Sequence, residues 1–179
     1  MLRNARIECI VHPAHIDESR LNGEPALEFA KRLAKEKADA VFVACNRHEI
    51  VLGADTVVVV DAEVLGKPAD VDDARRMLRM LSGRPHEVIT GVALVGDGFA
   101  EVAAETTKVY FDTLTEADIE EYVATGEPMD KAGAYAIQGV ASRWIGRIEG
   151  DYFNVVGLPV ALVNKMLRAR LEEGSAEAV

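Results

Sequence analysis

An apolar run lies at residues 51–60, with the sequence VLGADTVVVV. A short block rich in β-branched residues fits a pleated, packed surface, so this run predicts a buried strand. It is interrupted at its middle by Asp55 and Thr56. Gly53, just ahead of them, lets another backbone or a ligand approach the strand closely. The other elements of the predicted fold are arranged around this strand.

The carboxylate of Asp55 has two interpretations. It is a solvent-facing residue at a strand end, or it is an active-site carboxylate at a strand terminus. An uncompensated charge in an apolar setting costs on the order of several kcal/mol, so a buried Asp55 needs a cationic partner or hydrogen-bond donors. The sequence pattern alone leaves both interpretations open.

Helical and extended periodicities alternate along the rest of the chain. Residues 7–11 predict a short strand that ends at Pro13, and a helix with three- and four-residue apolar spacing begins near Glu24. Asp70 and Asp73 suit the N-terminus of a second helix. Further predicted elements are a hairpin at 60–64, strands at 86–95 and 102–111, a helix that starts with a capping box at 115–118, and a last helix at 160–171. This mixture predicts an α/β or α+β fold with a mixed sheet, in which residues 1–179 form one domain with a cleft.

The composition is that of an ordinary globular chain. Its 179 residues are 49% hydrophobic and 28% charged, which suits one well-packed domain. No apolar run reaches the length of a membrane span, and the first residues lack the apolar core of a signal peptide, so we expect a cytoplasmic protein. Cys9 and Cys45 lack metal-ligand spacing and are expected to be reduced.

The formal net charge of −10 disfavours binding to nucleic acid or to anionic membranes, which require a basic surface. An acidic protein can still bind an anion where a few lysines or a divalent metal are concentrated. Lys67 is one candidate, because it lies on a turn stiffened by Gly66 and Pro68. The first helix carries further lysines, and one of them near its inner edge is a second candidate. Glu18 belongs to an acidic pair that is a solvated surface feature or faces a metal or a lysine.

Six segments, in order along the chain, resemble the Maf family of nucleoside triphosphate pyrophosphatases. They are GADTVV at 53–58, GKP at 66–68, SGRPHEVITG at 82–91, GEPMDKAGAY at 126–135, IQG at 137–139 and GDYFNVVGLP at 150–159. They span nearly the whole chain at family-like spacing. The resemblance implies an elongated mixed sheet flanked by helices, a deep substrate cleft and a homodimer.

The resemblance also implies a reaction and roles for the charged residues. Members of the family cleave a nucleoside triphosphate between its α- and β-phosphates with a divalent metal, Mg²⁺ or Mn²⁺. Asp55 would then orient or deprotonate the attacking water, and Asp55 and Glu18 would hold the metal. Lys37, Lys67 and Lys131 would supply positive charge to the phosphate oxygens.

Two residues point to a subgroup of that family. Members with Thr after the catalytic Asp and Gln in the IQG segment, as at Thr56 and Gln138, prefer dTTP and UTP. The Gln138 amide both donates and accepts hydrogen bonds, which suits the imide edge of a pyrimidine. The alternative is that Thr56 packs within the strand and Gln138 braces a loop. Two other functions stay open, namely hydrolysis of 7-methyl-GTP or another modified nucleotide, and a non-catalytic nucleotide-binding or cell-division regulatory role.

One segment of the family pattern has no counterpart in this sequence. The family begins with a strand and a Ser-x-Ser-Pro-Arg-Arg loop, whereas residues 1–5 resemble the end of the helix that follows that loop. Arginines make bidentate contacts to phosphate that lysines do not reproduce. We therefore expect in-frame codons upstream of Met1 to encode the strand and the loop, and the chain without them to be poorly soluble or nearly inactive.

Overall fold

The computed structural model describes residues 1–45 and 49–176, with side chains described as far as residue 172. Its α-helices and β-strands, in chain order, are α1 (Ala26–Ala44), β1 (Val51–Val60), β2 (Glu63–Leu65), α2 (Val71–Leu81), β3 (Pro85–Gly96), β4 (Phe99–Phe111), α3 (Glu116–Ala124), β5 (Ile145–Glu149), α4 (Tyr152–Val156) and α5 (Val160–Ala176). Short 3₁₀ turns lie between α3 and β5. The predicted α/β class is confirmed.

The five strands form one sheet in the order β2-β1-β3-β4-β5. β1 and β2 pair antiparallel through a tight turn in which Asp61 and Ala62 both have positive φ, at 48° and 65°. β4 and β5 also pair antiparallel, with a register shift at Tyr110 and Phe111. β1 has the bounds that the apolar run predicted, so Asp55 lies near the middle of a strand rather than at its end.

The chain divides into two compact units. Unit 1 comprises residues 1–55, 90–105 and 157–179, and unit 2 comprises residues 56–89 and 106–156. The single domain predicted over residues 1–179 stays a prediction.

In unit 1, helix α1 lies directly on the backbone of the sheet. Ala30 and Ala34 are fully buried, and their carbonyl oxygens face glycines on the strands. A Cβ atom added to Gly53 would lie 2.1 Å from the Ala34 oxygen, and one added to Gly91 would lie 2.3 Å from the Ala30 oxygen. No side chain fits at these contacts, which confirms that Gly53 permits the close approach of another backbone.

Unit 2 has its own core, in which α2, α3 and the 3₁₀ turns pack with the strand segments of that unit. Its two long helices begin as the sequence predicted. The Asp70 carboxylate accepts a hydrogen bond from the Asp73 N–H at 2.8 Å, and Thr115 with Asp118 forms a complete capping box. The loop that leads into α4 is held by Thr107, whose hydroxyl donates to the Asp151 carbonyl at 3.0 Å.

One prediction of local structure is wrong, and strand β5 was not predicted. Residues 7–20 have no regular secondary structure, so the predicted strand at 7–11 is wrong. A strand needs a partner for its backbone groups, and no described strand pairs with this segment, where Ile10 and Val11 are exposed. β5 was not anticipated, because Gly146 and the charged residues Arg147 and Glu149 hide its alternation.

In the part of the chain that the structure describes, no helix is long and apolar enough to cross a membrane.

Candidate functional site

A lysine bridges two carboxylates in unit 1. The Lys37 Nζ atom lies 2.5 Å from Asp55 Oδ1 and 2.6 Å from Glu18 Oε1. The Asp55 side chain is 11% exposed, whereas that of Glu18 is 45% exposed. The carboxylate inside the apolar strand is therefore compensated by a cation, as its burial requires.

This cluster depends on the way in which α1 lies on the sheet. Lys37 is one turn beyond Ala34, whose carbonyl oxygen faces Gly53, and Asp55 is two residues beyond Gly53 on the same strand. Residues two apart on a strand lie on the same face. The contact between helix and strand that excludes a side chain at Gly53 thus also places the ammonium group against the carboxylate.

The segment that carries Glu18 is anchored to α1 by Arg32. The Arg32 guanidinium donates to both Glu24 carboxylate oxygens, at 2.7 and 2.9 Å, and to the Ser19 carbonyl at 3.0 Å. It also donates to Glu36 at 3.1 Å. Ser19 directly follows Glu18, so this bidentate pair holds the backbone that presents Glu18 to Lys37. Sequence reasoning missed both residues, because Arg32 belongs to a charged helical face that reads as solvated and Glu24 marks only the start of the helical pattern.

The two carboxylates keep Lys37 protonated. Partial burial on its own would lower the pKa of Lys37, but the hydrogen bonds and negative charges of Asp55 and Glu18 outweigh that effect. The pKa of Lys37 is therefore raised above its ordinary value. The group is a permanent cation at neutral pH, suited to contact a phosphate oxygen and unsuited to act as a base.

Glu18 and Lys37 line a cavity of about 240 Å³ in unit 1. Its other lining residues are His12, Ala14, Val41, Leu52, Gly53 and Ala54. A cavity of this size accommodates a small polar group rather than a whole nucleotide.

Asp55 and Glu18 are the two carboxylates that the predicted divalent cation would use as ligands. Mg²⁺ is commonly bound through one or two carboxylates, with waters and substrate phosphates as its other ligands. Among the side chains that the structure describes, in residues 1–45 and 49–172, no group of three or more His, Cys, Asp or Glu is arranged to hold a metal ion. Two carboxylates that share one ammonium carry a net negative charge, which suits a site completed by an anionic substrate.

The other two predicted lysines lie near one acidic residue of unit 2. Lys131 Nζ donates to Asp130 Oδ1 at 2.6 Å. That hydrogen bond, with the charges of Lys131 and Lys67, lowers the pKa of Asp130. The backbone joins the two segments, since the Gly133 N–H donates to the Gly66 carbonyl at 3.0 Å. The structure thus brings the segments that carry Lys67 and Lys131 together, and their phosphate-binding role stays a prediction.

The two predicted specificity residues differ in their surroundings. Thr56 is half-buried on β1, and Gln138 is exposed in a turn after the 3₁₀ segments of unit 2. That turn contacts Tyr122 and Glu127, which the sequence analysis did not single out. Glu127 stands inside a recognised motif, and its place beside Gly126 and Pro128 is the signal that could have drawn attention to it.

Comparisons with known proteins identify the family of the chain. The profile of the family described as "Maf-like protein" matches residues 1–170. A protein of Koribacter versatilis (strain Ellin345), named "dTTP/UTP pyrophosphatase", is 55% identical over 168 residues, which cover 94% of this chain and 86% of the relative. A protein of the same name from Symbiobacterium thermophilum is 52% identical over 167 residues, covering 93% of this chain and 86% of its own length. A third, from Syntrophomonas wolfei, is 51% identical over 161 residues, covering 88% and 84%. The chain therefore belongs to the Maf-like protein family.

Proposed function

We propose that this protein is a nucleoside triphosphate pyrophosphatase that hydrolyses dTTP and UTP to the monophosphate and pyrophosphate. The observation that carries the proposal is the Lys37 ammonium held at 2.5 and 2.6 Å between Asp55 and Glu18. Support for the substrates comes from relatives about half identical to this chain that are named dTTP/UTP pyrophosphatase. Removal of these nucleotides from the cellular pool is the role that follows.

Asp55 has the chemistry of a general base for this reaction. Its carboxylate accepts the proton of a water molecule whose oxygen bonds to the α-phosphorus. The bond from that phosphorus to the oxygen bridging the α- and β-phosphates breaks, and pyrophosphate leaves with the bridging oxygen. Lys37 donates to Asp55 Oδ1 and thereby keeps the carboxylate ionised and oriented.

Positive charge for the phosphates comes from three lysines. Lys37 belongs to the carboxylate cluster, and Lys67 and Lys131 flank Asp130. Each ammonium acts as a compact point charge against oxygens on which negative charge accumulates. A Mg²⁺ or Mn²⁺ ion held by Asp55 and Glu18 would add charge neutralisation when bound.

Base selection is assigned to Thr56 and Gln138. A glutamine amide can donate to a pyrimidine carbonyl and accept from the imide N–H with the same side chain. A site built around such hydrogen bonds rejects a base that leaves its polar groups unpaired. We also propose a cytoplasmic homodimer, as the family resemblance implies.

The test is release of pyrophosphate from a panel of dTTP, UTP, dGTP, ATP and 7-methyl-GTP, with Mg²⁺ or Mn²⁺ present and after chelation. We expect the largest kcat/KM for dTTP and UTP and loss of turnover with the chelator. A larger kcat/KM for 7-methyl-GTP than for dTTP and UTP would show that the proposed substrates are wrong. Binding of nucleotides without any pyrophosphate release would make the chain a regulatory nucleotide-binding protein instead.

A further inference from the structure

The turn that carries Gln138 is defined by a backbone hydrogen bond. The Gly139 N–H donates to the Ala136 carbonyl at 3.0 Å, which places Ile137 and Gln138 at the two central positions. The Ile137 side chain is buried, whereas Gln138 is exposed. The direction in which the Gln138 amide points therefore depends on how firmly the backbone of the turn is held.

One tyrosine and one glutamate hold both ends of this turn. The Ala136 N–H, before the turn, donates to the Tyr122 hydroxyl oxygen at 3.1 Å. The Val140 N–H, after the turn, donates to Glu127 Oε2 at 3.3 Å. The Tyr122 hydroxyl in turn donates to Glu127 Oε1 at 2.8 Å. The two ends of the turn are thus connected through a single side-chain hydrogen bond.

The pair is itself rigidly placed. Tyr122 is fully buried on α3, and its ring meets the edge of Trp144 with the ring centroids 5.6 Å apart. The Glu127 N–H donates to the Thr125 hydroxyl oxygen at 3.1 Å, which fixes the backbone that carries the carboxylate. A Cβ atom added to Gly139 would lie 1.9 Å from Glu127 Oε1, so the carboxylate lies directly against the turn.

We propose that Tyr122 and Glu127 are positioning residues that set the base specificity of the enzyme by orienting Gln138. This inference rests on the proposed base-reading role of Gln138. An amide discriminates between bases only when its donor and acceptor are presented in one orientation. Loosening the turn leaves the Gln138 side chain intact and removes the fixed direction on which discrimination depends.

The variants Glu127→Gln and Tyr122→Phe test the proposal with little change in volume. A glutamine at 127 turns its N–H₂ group either toward Val140, whose N–H then loses its acceptor, or toward Tyr122, whose hydroxyl must then accept and is left with its own proton unpaired. A phenylalanine at 122 removes both contacts of the hydroxyl. Glu121→Gln is the matched control, because Glu121 is the neighbouring glutamate on α3 and pairs with Arg143 at the surface.

Steady-state kinetics on dTTP and dGTP provide the first readout. For Glu127→Gln and Tyr122→Phe we expect the ratio of kcat/KM for dTTP to that for dGTP to fall about tenfold, mainly through a higher KM for dTTP. The kcat for dTTP should change less than about twofold, and Glu121→Gln should resemble the wild type. Amide hydrogen exchange is the second readout. The Ala136 and Val140 amides should exchange faster in Tyr122→Phe and Glu127→Gln, whereas the Asp73 amide at the start of α2 should not.

Two further variants, Gln138→Ala and the double variant Glu127→Gln with Gln138→Ala, separate the base-reading role of Gln138 from the positioning role of Tyr122 and Glu127. If Gln138→Ala leaves the ratio unchanged, the base-reading role fails and the positioning role fails with it. If Gln138→Ala lowers the ratio while Glu127→Gln and Tyr122→Phe do not, only the positioning role is wrong. If positioning acts through Gln138, the double variant should have the same ratio as Gln138→Ala alone. A further additive loss would show that Glu127 acts by another route.

Discussion

The carboxylate cluster of unit 1 and the turn that carries Gln138 in unit 2 hold their side chains in place by different physical means. In the cluster, Lys37, Asp55 and Glu18 are partly exposed charges that meet directly. In the turn, Gln138 is exposed and uncharged, and its backbone is held by Tyr122 and Glu127. The electrostatic attraction between charged side chains and phosphates persists when the charges are partly solvated. Recognition of a base edge, in contrast, requires an amide that is held in one orientation. The comparison predicts that changes in the cluster alter the rate and that changes in the turn alter the choice of substrate.

The largest effect is expected from Asp55→Asn. The asparagine preserves shape and a hydrogen bond but cannot accept the proton of the attacking water. The kcat for dTTP should fall by about a hundred- to ten-thousand-fold, which is the usual range for loss of a general base. Quenched-flow or steady-state release of pyrophosphate measures it, and circular dichroism during heating confirms that the variant is folded. Turnover close to that of the wild type would remove Asp55 from catalysis, and an altered dTTP-to-dGTP ratio would contradict the separation between rate and selectivity.

The free energy of unfolding should depend on pH because His86 is buried in unit 2. His86 Nε2 lies 2.8 Å from the Tyr135 hydroxyl oxygen, and burial lowers the pKa of His86 from 6.5 to about 4. The unfolded chain therefore binds more protons than the folded one between those pH values, so the free energy of unfolding rises with pH across that window. Relative to a His86→Phe variant, the wild type should lose up to about 3 kcal/mol between pH 6.5 and pH 4.

Urea titrations of both proteins at intervals from pH 7 to pH 4 provide the measurement. Carboxylates elsewhere are common to the two proteins, so their titration largely cancels in the difference. A constant difference across the window would show that folding does not lower the pKa of His86. Parallel measurement of His86→Phe selectivity would show whether Tyr135, which precedes the Gln138 turn, also contributes to positioning.

A substitution at Gly53, where α1 contacts the backbone of β1, should affect both the free energy of unfolding and the kcat. In Gly53→Ala the new methyl group meets the Ala34 carbonyl oxygen and the Ala38 side chain, so the helix must shift. Forcing an extra group into a packed contact costs about 1 to 3 kcal/mol of unfolding free energy. Because Lys37 moves with the helix, the kcat should fall as well, with the dTTP-to-dGTP ratio unchanged. Gly66→Ala, which has no positive φ and nothing within 4 Å of an added Cβ, is the control for the change in stability.

The smallest effect is expected from Gln138→Glu. A carboxylate cannot donate to the pyrimidine carbonyl, so the dTTP-to-dGTP ratio should fall about tenfold. The kcat on each substrate should remain within about threefold of the wild type, because the carboxylate cluster is untouched. Competition between the two nucleotides in one reaction gives the ratio directly. A ratio equal to that of the wild type would remove Gln138 from base reading.

The features that the sequence predicted correctly are those in which the signal lies in a few adjacent residues. The β-branched run predicted β1 at its observed bounds, and the Thr115 and Asp118 capping box marked the start of α3. The resemblance to Maf named Lys37 and Glu18, and the structure places both against Asp55, whereas their roles in catalysis and metal binding stay predictions.

The features that it did not predict depend on contacts between residues far apart in the chain. The propensity of residues 7–11 indicated a strand, but propensity does not specify a pairing partner. Arg32 reaches the Ser19 carbonyl thirteen residues away, and Tyr122 accepts from the Ala136 amide fourteen residues away. Neither arginine nor tyrosine differs, in sequence, from an ordinary surface or core residue. Their roles appear only when the backbone groups that they satisfy are located.

Helix α1 contacts the sheet through backbone atoms at Gly53 and Gly91, and this affects which substitutions the protein can accept during evolution. Where side chains separate a helix from a sheet, substitutions can be absorbed by a change of rotamer, and the helix can move by a fraction of an ångström. At Gly53 and Gly91 the carbonyl oxygens of Ala34 and Ala30 meet the strands directly, so no rotamer is available to adjust. Substitutions elsewhere in the core of unit 1 can therefore accumulate while the separation of Lys37 and Asp55 stays the same. The position of the Asp55 carboxylate relative to Lys37 is in this way protected from substitutions in the core around it.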